Sequence, residues 1–366
     1  MENKHKIFVA MSGGVDSSVA AHLLKKQGHD VVGVFMKNWT ETLSNVEDNP
    51  LAESELCPWI TDQEDMRKVC NKLHIPFYTF DFEKEYKDRV IEYFYSSYKK
   101  GITPNPDIMC NKEIKFNLFL KKCIKLGADY IATGHYAQVR ETTVNGNRKF
   151  ELLKGKDENK DQSYFLCTLN QEQLSKTLFP IGEYKKTEIR KIAKKINLPT
   201  HDKKDSQGIC FIGEVDLREF LKQRLKENPG KIITTEGELI GDHVGLPFYT
   251  IGQRKGINIG GGIPYYVVGK DSKNNQLVVA KGSHDPKLFN KNLSADHVHW
   301  VGEKPRFPLK CTAKIRYRQV DQKVTINQLS KNTINAVFDE PQRAITPGQS
   351  IVMYEGDILI GSAVIA

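Results

Sequence analysis

Lys6-Ile7-Phe8-Val9-Ala10-Met11-Ser12-Gly13-Gly14-Val15-Asp16-Ser17-Ser18 joins an apolar run to a helical pattern through two glycines. Lys6–Met11 is short and apolar enough for a buried parallel strand, and from Val15 to Gly28 the residues Val19, Ala20, Leu23 and Leu24 recur on one helical face. At such a junction the glycines let the backbone turn tightly. The free N–H groups of the helix start, aided by the Ser12, Ser17 and Ser18 hydroxyls, then point at an anion. The spacing is not G-x-x-x-x-G-K-[ST], because no lysine follows the second glycine, and it is not G-x-G-x-x-G. Neither a Walker-type NTPase nor a dinucleotide-binding dehydrogenase is therefore favoured. A strand-to-helix turn with a serine cap would use the same residues.

The loop resembles the SGGxDS signature of the ATP pyrophosphatases, which implies that pyrophosphate leaves ATP and AMP is joined to the substrate. Further strand-like runs at Val31–Met36, Pro76–Phe80 and Tyr130–Thr133 alternate with helical patterns at Gln63–Leu73, Lys84–Tyr98 and Lys112–Leu126. That alternation predicts an α/β domain, a doubly wound parallel sheet of ATP pyrophosphatase type over residues 1–205, with ligands at the C-terminal strand ends. A polar, acidic stretch from Asn38 to Asp62 reads as a loop or insertion. Residues 206–281 turn rich in glycine and predict a small α+β connecting domain. Strict alternation around Cys311–Arg318, Lys323–Ile326, Ile334–Phe338 and Ile351–Ala366 predicts a C-terminal β-barrel over 282–366.

The chain has 366 residues, a formal charge of +9 and seven cysteines. No apolar run approaches the roughly 18 residues of a membrane span, and the first residues do not read as a signal peptide, so a soluble cytoplasmic protein with reduced thiols is expected. Basic residues concentrate in Glu183–Lys204. There Ile189, Ile192, Ala193 and Ile196 form a buried stripe and Lys185, Lys186, Arg190, Lys191, Lys194 and Lys195 read as solvated, a face that would attract a polyanion such as RNA.

Four cysteines read as packing residues. Cys123 shares a face with Phe116, Phe119 and Leu120, Cys70 joins Met66 and Leu73, Cys311 alternates with Ala313 and Ile315, and Cys167 follows Tyr164-Phe165-Leu166. Cys57, before Pro58, has no evident activator. Cys110 closes the turn Thr103-Pro104-Asn105-Pro106-Asp107-Ile108-Met109-Cys110, ahead of a helix expected to begin near Asn111, with Lys112 and Lys115 nearby. A helix N-terminus and ammonium groups favour the thiolate; a buried cap residue is the alternative. Cys210 lies between Ile209 and Phe211, which suits a buried strand, while Gly208 and Gly213 would suit a mobile loop.

Across its length the chain resembles the tRNA-specific 2-thiouridylases, enzymes that thiolate the wobble uridine of certain tRNAs. The resemblance is carried by Ala10–Ser17, Phe35–Trp39, Thr103–Phe116, Ala132–Ala137, Lys160–Leu166, Gly208–Gly213, Thr250–Gly256, Arg316–Gln319 and Thr346–Gln349. One departure is Ser206-Gln207, where some relatives have Ser-Thr. The resemblance implies ATP on Ala10, Met11, Ser12, Gly13, Gly14, Val15, Asp16 and Ser17, with Met36 and Gly134 beside it. Asn105, Pro106 and Asp107 would meet a flipped-out base. Cys110 is implied as nucleophile and Cys210 as persulfide carrier. His135, Asp161, Gln162, Ser163, Arg316, Tyr317 and Gln349 match tRNA-contacting positions. Implied partners are tRNA, a persulfide-donating sulfur-relay protein and a cellular reductant that resets the cysteine pair, with no membrane.

Mg²⁺ is expected with ATP, although only Asp16 offers itself as a ligand. An iron–sulfur cluster on Cys110 and Cys210 with a third ligand such as Asp107 stays open, since two thiolates are too few for a four-cysteine site. Two readings from other classes compete. An adenylating amidotransferase or synthetase would need no second cysteine, and an RNA-binding module would hold phosphate without turnover.

Overall fold

The computed structural model describes residues 4–40, 58–205, 208, 210, 212, 216–260 and 262–366. Cys57, most of the polar stretch after Asn38, and Ser206, Gln207, Ile209, Phe211 and Gly213 of the sequence motifs lie outside the described residues.

The N-terminal region carries strands β1 (Lys6–Ala10), β2 (Asp30–Lys37), β3 (Phe77–Asp81), β4 (Tyr130–Thr133), β5 (Ala137–Val144), β6 (Asn147–Lys154) and β7 (Thr177–Leu178). Five of them form a parallel sheet in the order β3-β2-β1-β4-β7. Alternation along β1 shows why this strand is apolar throughout. Ile7 and Val9 pack on one face with Val19, Leu24, Met66, Cys70, Ile189 and Ala193, while Phe8 and Ala10 pack on the other with Tyr86, Phe94, Ile114 and Phe119. With helices on both faces, the side chains from Ile7 to Ala10 are buried and Lys6 at the strand's start is half-buried.

The first face is covered by helices α1 (Val15–Lys26) and α2 (Pro58–Leu73). The second is covered by α3 (residues 83–99) and α4 (residues 106–125), each a continuous helix whose middle is π-helical, at Lys87–Ile91 and Asn111–Phe119. Helix α4 begins earlier than the sequence predicts. Asn105 accepts a hydrogen bond from Ile108 N at 3.1 Å, and Pro106 fills the first helical position, where its missing N–H costs nothing. A last helix, α5 (Lys186–Lys195), lies against α1.

Strands β5 and β6 are a finding the sequence reading did not contain. Asn145 and Gly146, with φ of 51° and 77°, make the tight turn of a hairpin. Its second strand pairs with the barrel, Leu152 opposite Leu359. The middle region has strands β8 (Gly230–Thr234), β9 (Leu239–His243), β10 (Tyr265–Asp271) and β11 (Gln276–Lys281) in the order β10-β11-β8-β9, plus the helix Leu217–Lys222 capped by Asp216.

The C-terminal strands are β12 (Phe289–Trp300), β13 (Leu309–Lys314), β14 (Gln322–Gln328), β15 (Thr333–Arg343), β16 (Ser350–Glu355) and β17 (Ile358–Ile365). Their order β12-β15-β14-β13-β16-β17 closes through β12–β17 pairing, giving the expected barrel. Leu293, Ala295, Ile326, Ala336, Phe338, Ile351, Met353 and Ile365 fill its inside.

Candidate active site

The phosphate-type loop lies at the C-terminal end of β1. Gly13 has φ +71°, and a Cβ there would fall 2.2 Å from the Asp62 carbonyl oxygen of α2, so conformation and space both require glycine. Ser18 Oγ donates to Gly14 O at 2.7 Å, and Ser12 N donates to Ser17 Oγ at 3.3 Å. The Met11 side chain points into the core beside Cys70, its Sδ 3.7 Å from Cys70 Sγ, so Met11 can face a ligand only through its backbone. Ala10 and Val15 are buried, and Met36 is buried near the end of β2. Gly134, just past β4, packs on the start of α1, and a Cβ there would meet Ser17 N at 2.7 Å.

Asp16 is paired with a cation. Its carboxylate accepts from Lys186 Nζ at 2.7 and 2.8 Å and from Tyr136 OH at 2.8 Å. Lys186 also reaches Asp205 at 2.7 Å, and Asp205 binds Arg190 at 2.7 Å and Lys160 at 2.6 Å. Burial would raise the Asp205 carboxyl, but the hydrogen bonds and charges of Lys160 and Lys186 outweigh it and hold it well below the usual range. Here the solvated-face reading of α5 is corrected for two residues. The Lys186 side chain is 12% exposed and Arg190 is also engaged, because the first turns of α5 are aimed at the phosphate loop.

The second half of the site is a pair of sulfurs. Cys110 and Cys210 are free cysteines close enough to act on one another's titration, although a hundred residues separate them. Cys110 is fully buried, whereas Cys210 sits half-buried in a turn rather than a strand. Asp107 Oδ1 accepts from Cys210 N at 3.1 Å, and Tyr86 OH donates to Cys210 O at 2.6 Å. The half-buried Lys115 acts through its charge on both sulfurs and on Asp107.

The two thiols differ. Burial first, then the neighbouring Cys210, pushes the Cys110 thiol well up. The hydrogen bond from Cys110 first, then the Lys115 charge, outweighs burial and lowers the Cys210 thiol. The sequence reading favoured the thiolate at Cys110. That expectation assumed a helix N-terminus at this residue, but α4 starts at Pro106 and the dipole benefit fades beyond the first turn. Cys210 is thus the more acidic thiol of the two. Elsewhere burial pushes Cys70, Cys167 and Cys311 up to about 12, and Cys123 also up, which suits their packing role.

The two halves adjoin through the residues after β4. Gly134 touches α1, while the half-buried His135 ring lies 5.9 Å from Phe116 of α4 and bonds Thr133 Oγ1 at 2.7 Å. Burial first and the Lys115 charge second keep His135 well below its ordinary value, so it is neutral.

The other sequence candidates are distributed around this centre. The Asn105 amide oxygen caps α4, with Pro106 next to it. Gln349 Nε2 donates to Thr103 O at 3.0 Å and Pro104 O at 3.1 Å, tying the barrel to the turn that leads into α4. Asp161 is buried, accepts from Gly155 N and Ser163 N at 3.1 Å each, and pairs with Lys314. Gln162 accepts from Tyr136 N at 3.1 Å, and buried Ser163 bonds Tyr354 at 3.1 Å. As arranged, these three brace the chain inward. Arg316 is exposed and donates to Arg343 O, and Tyr317 packs on Phe165 with ring centroids 4.5 Å apart. Tyr317 also lines a cleft of about 790 Å³ between the 154–161 segment and the barrel rim, with Lys154, Lys314 and Asp321.

Tyr86, Tyr136, Lys160, Lys186 and Asp205 were not singled out as site residues by sequence. Lys186 had a signal as a member of a basic helical stretch, and Tyr136 and Lys160 lie in Ala132–Ala137 and Lys160–Leu166, two of the stretches that carry the resemblance.

Among the described residues no three His, Cys, Asp or Glu side chains group as a metal site. Cys110, Cys210 and Asp107, the ligands considered for an iron–sulfur cluster, are among the side chains that do not so group.

Residues 5–214 match the family model described as the tRNA methyl transferase HUP domain, 218–281 the tRNA methyl transferase PRC-barrel domain, and 290–365 the aminomethyltransferase beta-barrel domain. Over 364 residues the chain is 53% identical to the tRNA-specific 2-thiouridylase MnmA of Alkaliphilus oremlandii, covering 98% of this chain and 96% of that one. It is 51% identical over 362 residues to the enzyme of the same name from Halalkalibacterium halodurans, covering 98% and 94%. Among solved structures, a 4-thiouridine synthetase–RNA complex with bound ATP aligns over 57% of this chain and 45% of that one, at 19% identity and a TM-score of 0.32, too distant to argue from.

Proposed function

The chain belongs to the tRNA-specific 2-thiouridylase family, and on that premise we propose how its residues carry out ATP-dependent thiolation of a tRNA uridine at C2. The observation that carries the proposal is the meeting of the Cys110 and Cys210 segments next to the phosphate-type loop, where Asp107 Oδ1 accepts from Cys210 N at 3.1 Å.

ATP lies on Ala10–Ser17, with Met36 and Gly134 at the adjoining strand ends and the N–H groups of α1 turned to its phosphates. Lys186 is the nearest cation to compensate the charge that develops as pyrophosphate leaves. Magnesium would be held through Asp16 and the phosphates, supplying further charge neutralisation. The wobble uridine is flipped out toward Asn105, Pro106 and Asp107, and its C2 oxygen attacks the α-phosphate, which makes AMP the later leaving group. Cys210 takes sulfur as a persulfide from a sulfur-relay protein. The outer sulfur attacks C2 and expels AMP. Cys110 then attacks the inner sulfur, releasing the thiolated base and leaving a Cys110–Cys210 disulfide that a cellular reductant must open. Alternatively Cys110 frees hydrosulfide first, with the same disulfide as by-product. His135, Arg316, Tyr317 and Gln349 are proposed to meet the tRNA, with Asp161, Gln162 and Ser163 shaping that surface from below. No helix among the described residues is long and apolar enough to cross a membrane. A reducing cytoplasm suits both the substrate and the free thiols.

The test is to supply ATP, tRNA and a persulfide donor and to measure 2-thiouridine, AMP and pyrophosphate together. Cys110→Ser and Cys210→Ser are each expected to cut thiolation by about 1,000-fold or more while tRNA affinity stays within about threefold. Full activity in either variant would refute the two-cysteine mechanism. Full tRNA binding by the native protein without AMP release would instead identify an RNA-binding module.

A further inference from the structure

Helix geometry brings a cation to the sulfur pair that an ordinary helix would keep away. In an α-helix of 3.6 residues per turn, a residue five positions on points about 140° away. Lys115 stands five after Cys110. The stretch Asn111–Phe119 is π-helical, with i→i+5 hydrogen bonding, so the fifth residue falls nearly one turn beneath the first. Cys110 and Lys115 therefore share a face, and Asp107 of the same helix accepts from Cys210 N at 3.1 Å, so the Lys115 charge acts on Cys210, Cys110 and Asp107 together. Such one-turn widenings weaken local helix geometry, and they concentrate where a side chain must be re-aimed.

We propose that Lys115 is a catalytic residue for sulfur loading: its ammonium is the fixed counter-cation that keeps Cys210 an anion, ready to accept sulfur. Among the described residues, the titratable groups facing Cys210 are Cys110, Asp107 and Lys115 from α4 and Tyr86 from α3, and His135 faces Lys115 from the end of β4. Of these only Lys115 is a cation. Burial pushes the Tyr86 hydroxyl well up and His135 well down, leaving both neutral, and burial also raises the Asp107 carboxyl. For Lys115, burial alone would lower the ammonium, but the sulfurs and Asp107 hold it above its usual value, so it stays charged. The loading step balances without any further oxidant. The Cys210 thiolate attacks the outer sulfur of a donor persulfide R–S–S–H, the donor S–S bond breaks, R–S⁻ leaves, and Cys210–S–S–H forms. After loading, the same ammonium faces the inner sulfur. That is the atom Cys110 attacks, forming the Cys110–Cys210 disulfide as the outer sulfur leaves.

The purpose of this step rests on the thiouridylase reading, but its chemistry can be read without tRNA or ATP. The experiment is the rate of Cys210 alkylation by iodoacetamide as a function of pH, followed on the Cys210 peptide by mass spectrometry. It compares the native protein with Lys115→Met, Lys115→Arg and Lys112→Met. Lys115→Met is expected to move the midpoint up by about one pH unit or more, a rate loss of about tenfold at neutral pH, with the high-pH rate kept. Lys115→Arg keeps the charge and is expected to hold the native midpoint within about half a unit. Lys112, exposed and beside Glu113, serves as the control whose removal leaves the profile unchanged. Should Lys115→Met fail to fold, Lys115→Gln is the neutral variant to read. A native midpoint in a folded neutral variant overturns the proposal. A native protein with the lowered midpoint that makes no 2-thiouridine would leave Lys115 its role and refute the thiouridylase reading instead.

Discussion

At the scale of single residues, the reactive centre is assembled by groups that reach in from separate segments. Tyr86 bonds the carbonyl of Cys210 and Asp107 bonds its N–H, so two points fix one residue. Tyr86→Phe removes the first and leaves a carbonyl without its partner. The expected cost is about 1–3 kcal/mol in stability, read as a lower denaturant midpoint, together with faster proteolysis next to Cys210. An unchanged midpoint would mean that the Tyr86 bond holds nothing. The cysteines themselves were legible in the sequence, because their surroundings could be weighed one by one. Which of them is the thiolate was not legible, since that depends on Lys115 and on burial that only the folded chain creates. Tyr86 and Lys186 were equally hidden, one inside an apolar pattern and the other inside a run of basic residues.

Among elements, the contact between β4 and α1 constrains the phosphate-type loop from the strand side. Gly134→Ala would place a methyl 2.7 Å from Ser17 N, so strand and helix must part. We expect a loss of about 1–3 kcal/mol and a raised KM for ATP, and a native KM would contradict the role given to this contact. The network that joins α5 to the loop has its own pH signature. Because the folded Asp205 carboxyl lies below its unfolded value of 3.8, the unfolded chain binds more protons as pH falls, so stability is full above that value and declines below it. Urea midpoints between about pH 5 and pH 2 should fall steeply for the native protein and less steeply for Asp205→Asn. Parallel slopes would show that Asp205 is not the titrating group. Four of the five parallel strands were readable, since each is an apolar run bounded by turns. Strand β7, only Thr177–Leu178, carries no pattern, and the π-helical widenings are invisible to a search for 3.6-residue periodicity.

For the whole molecule, the barrel is more than an appendage of the catalytic domain. Gln349 hydrogen-bonds Thr103 and Pro104, Thr103 N donates to Pro347 O at 3.0 Å, and strand β6 extends the barrel sheet from the N-terminal side. Gln349→Leu should therefore speed hydrogen exchange across residues 103–110 and lower the thermal midpoint, and unchanged exchange there would show that the barrel does not brace the turn. The barrel was predicted from strict alternation, yet its attachment was not, because the Asn145-Gly146 hairpin lies in the middle of the catalytic region. The pairing of Cys110 with Cys210 is the feature on which the function turns. A single turnover with tRNA, ATP and persulfide-loaded protein, run without reductant, tests it by peptide mass spectrometry: one Cys110–Cys210 disulfide should appear for each 2-thiouridine formed, whereas 2-thiouridine accumulating with both thiols still free would refute the paired mechanism.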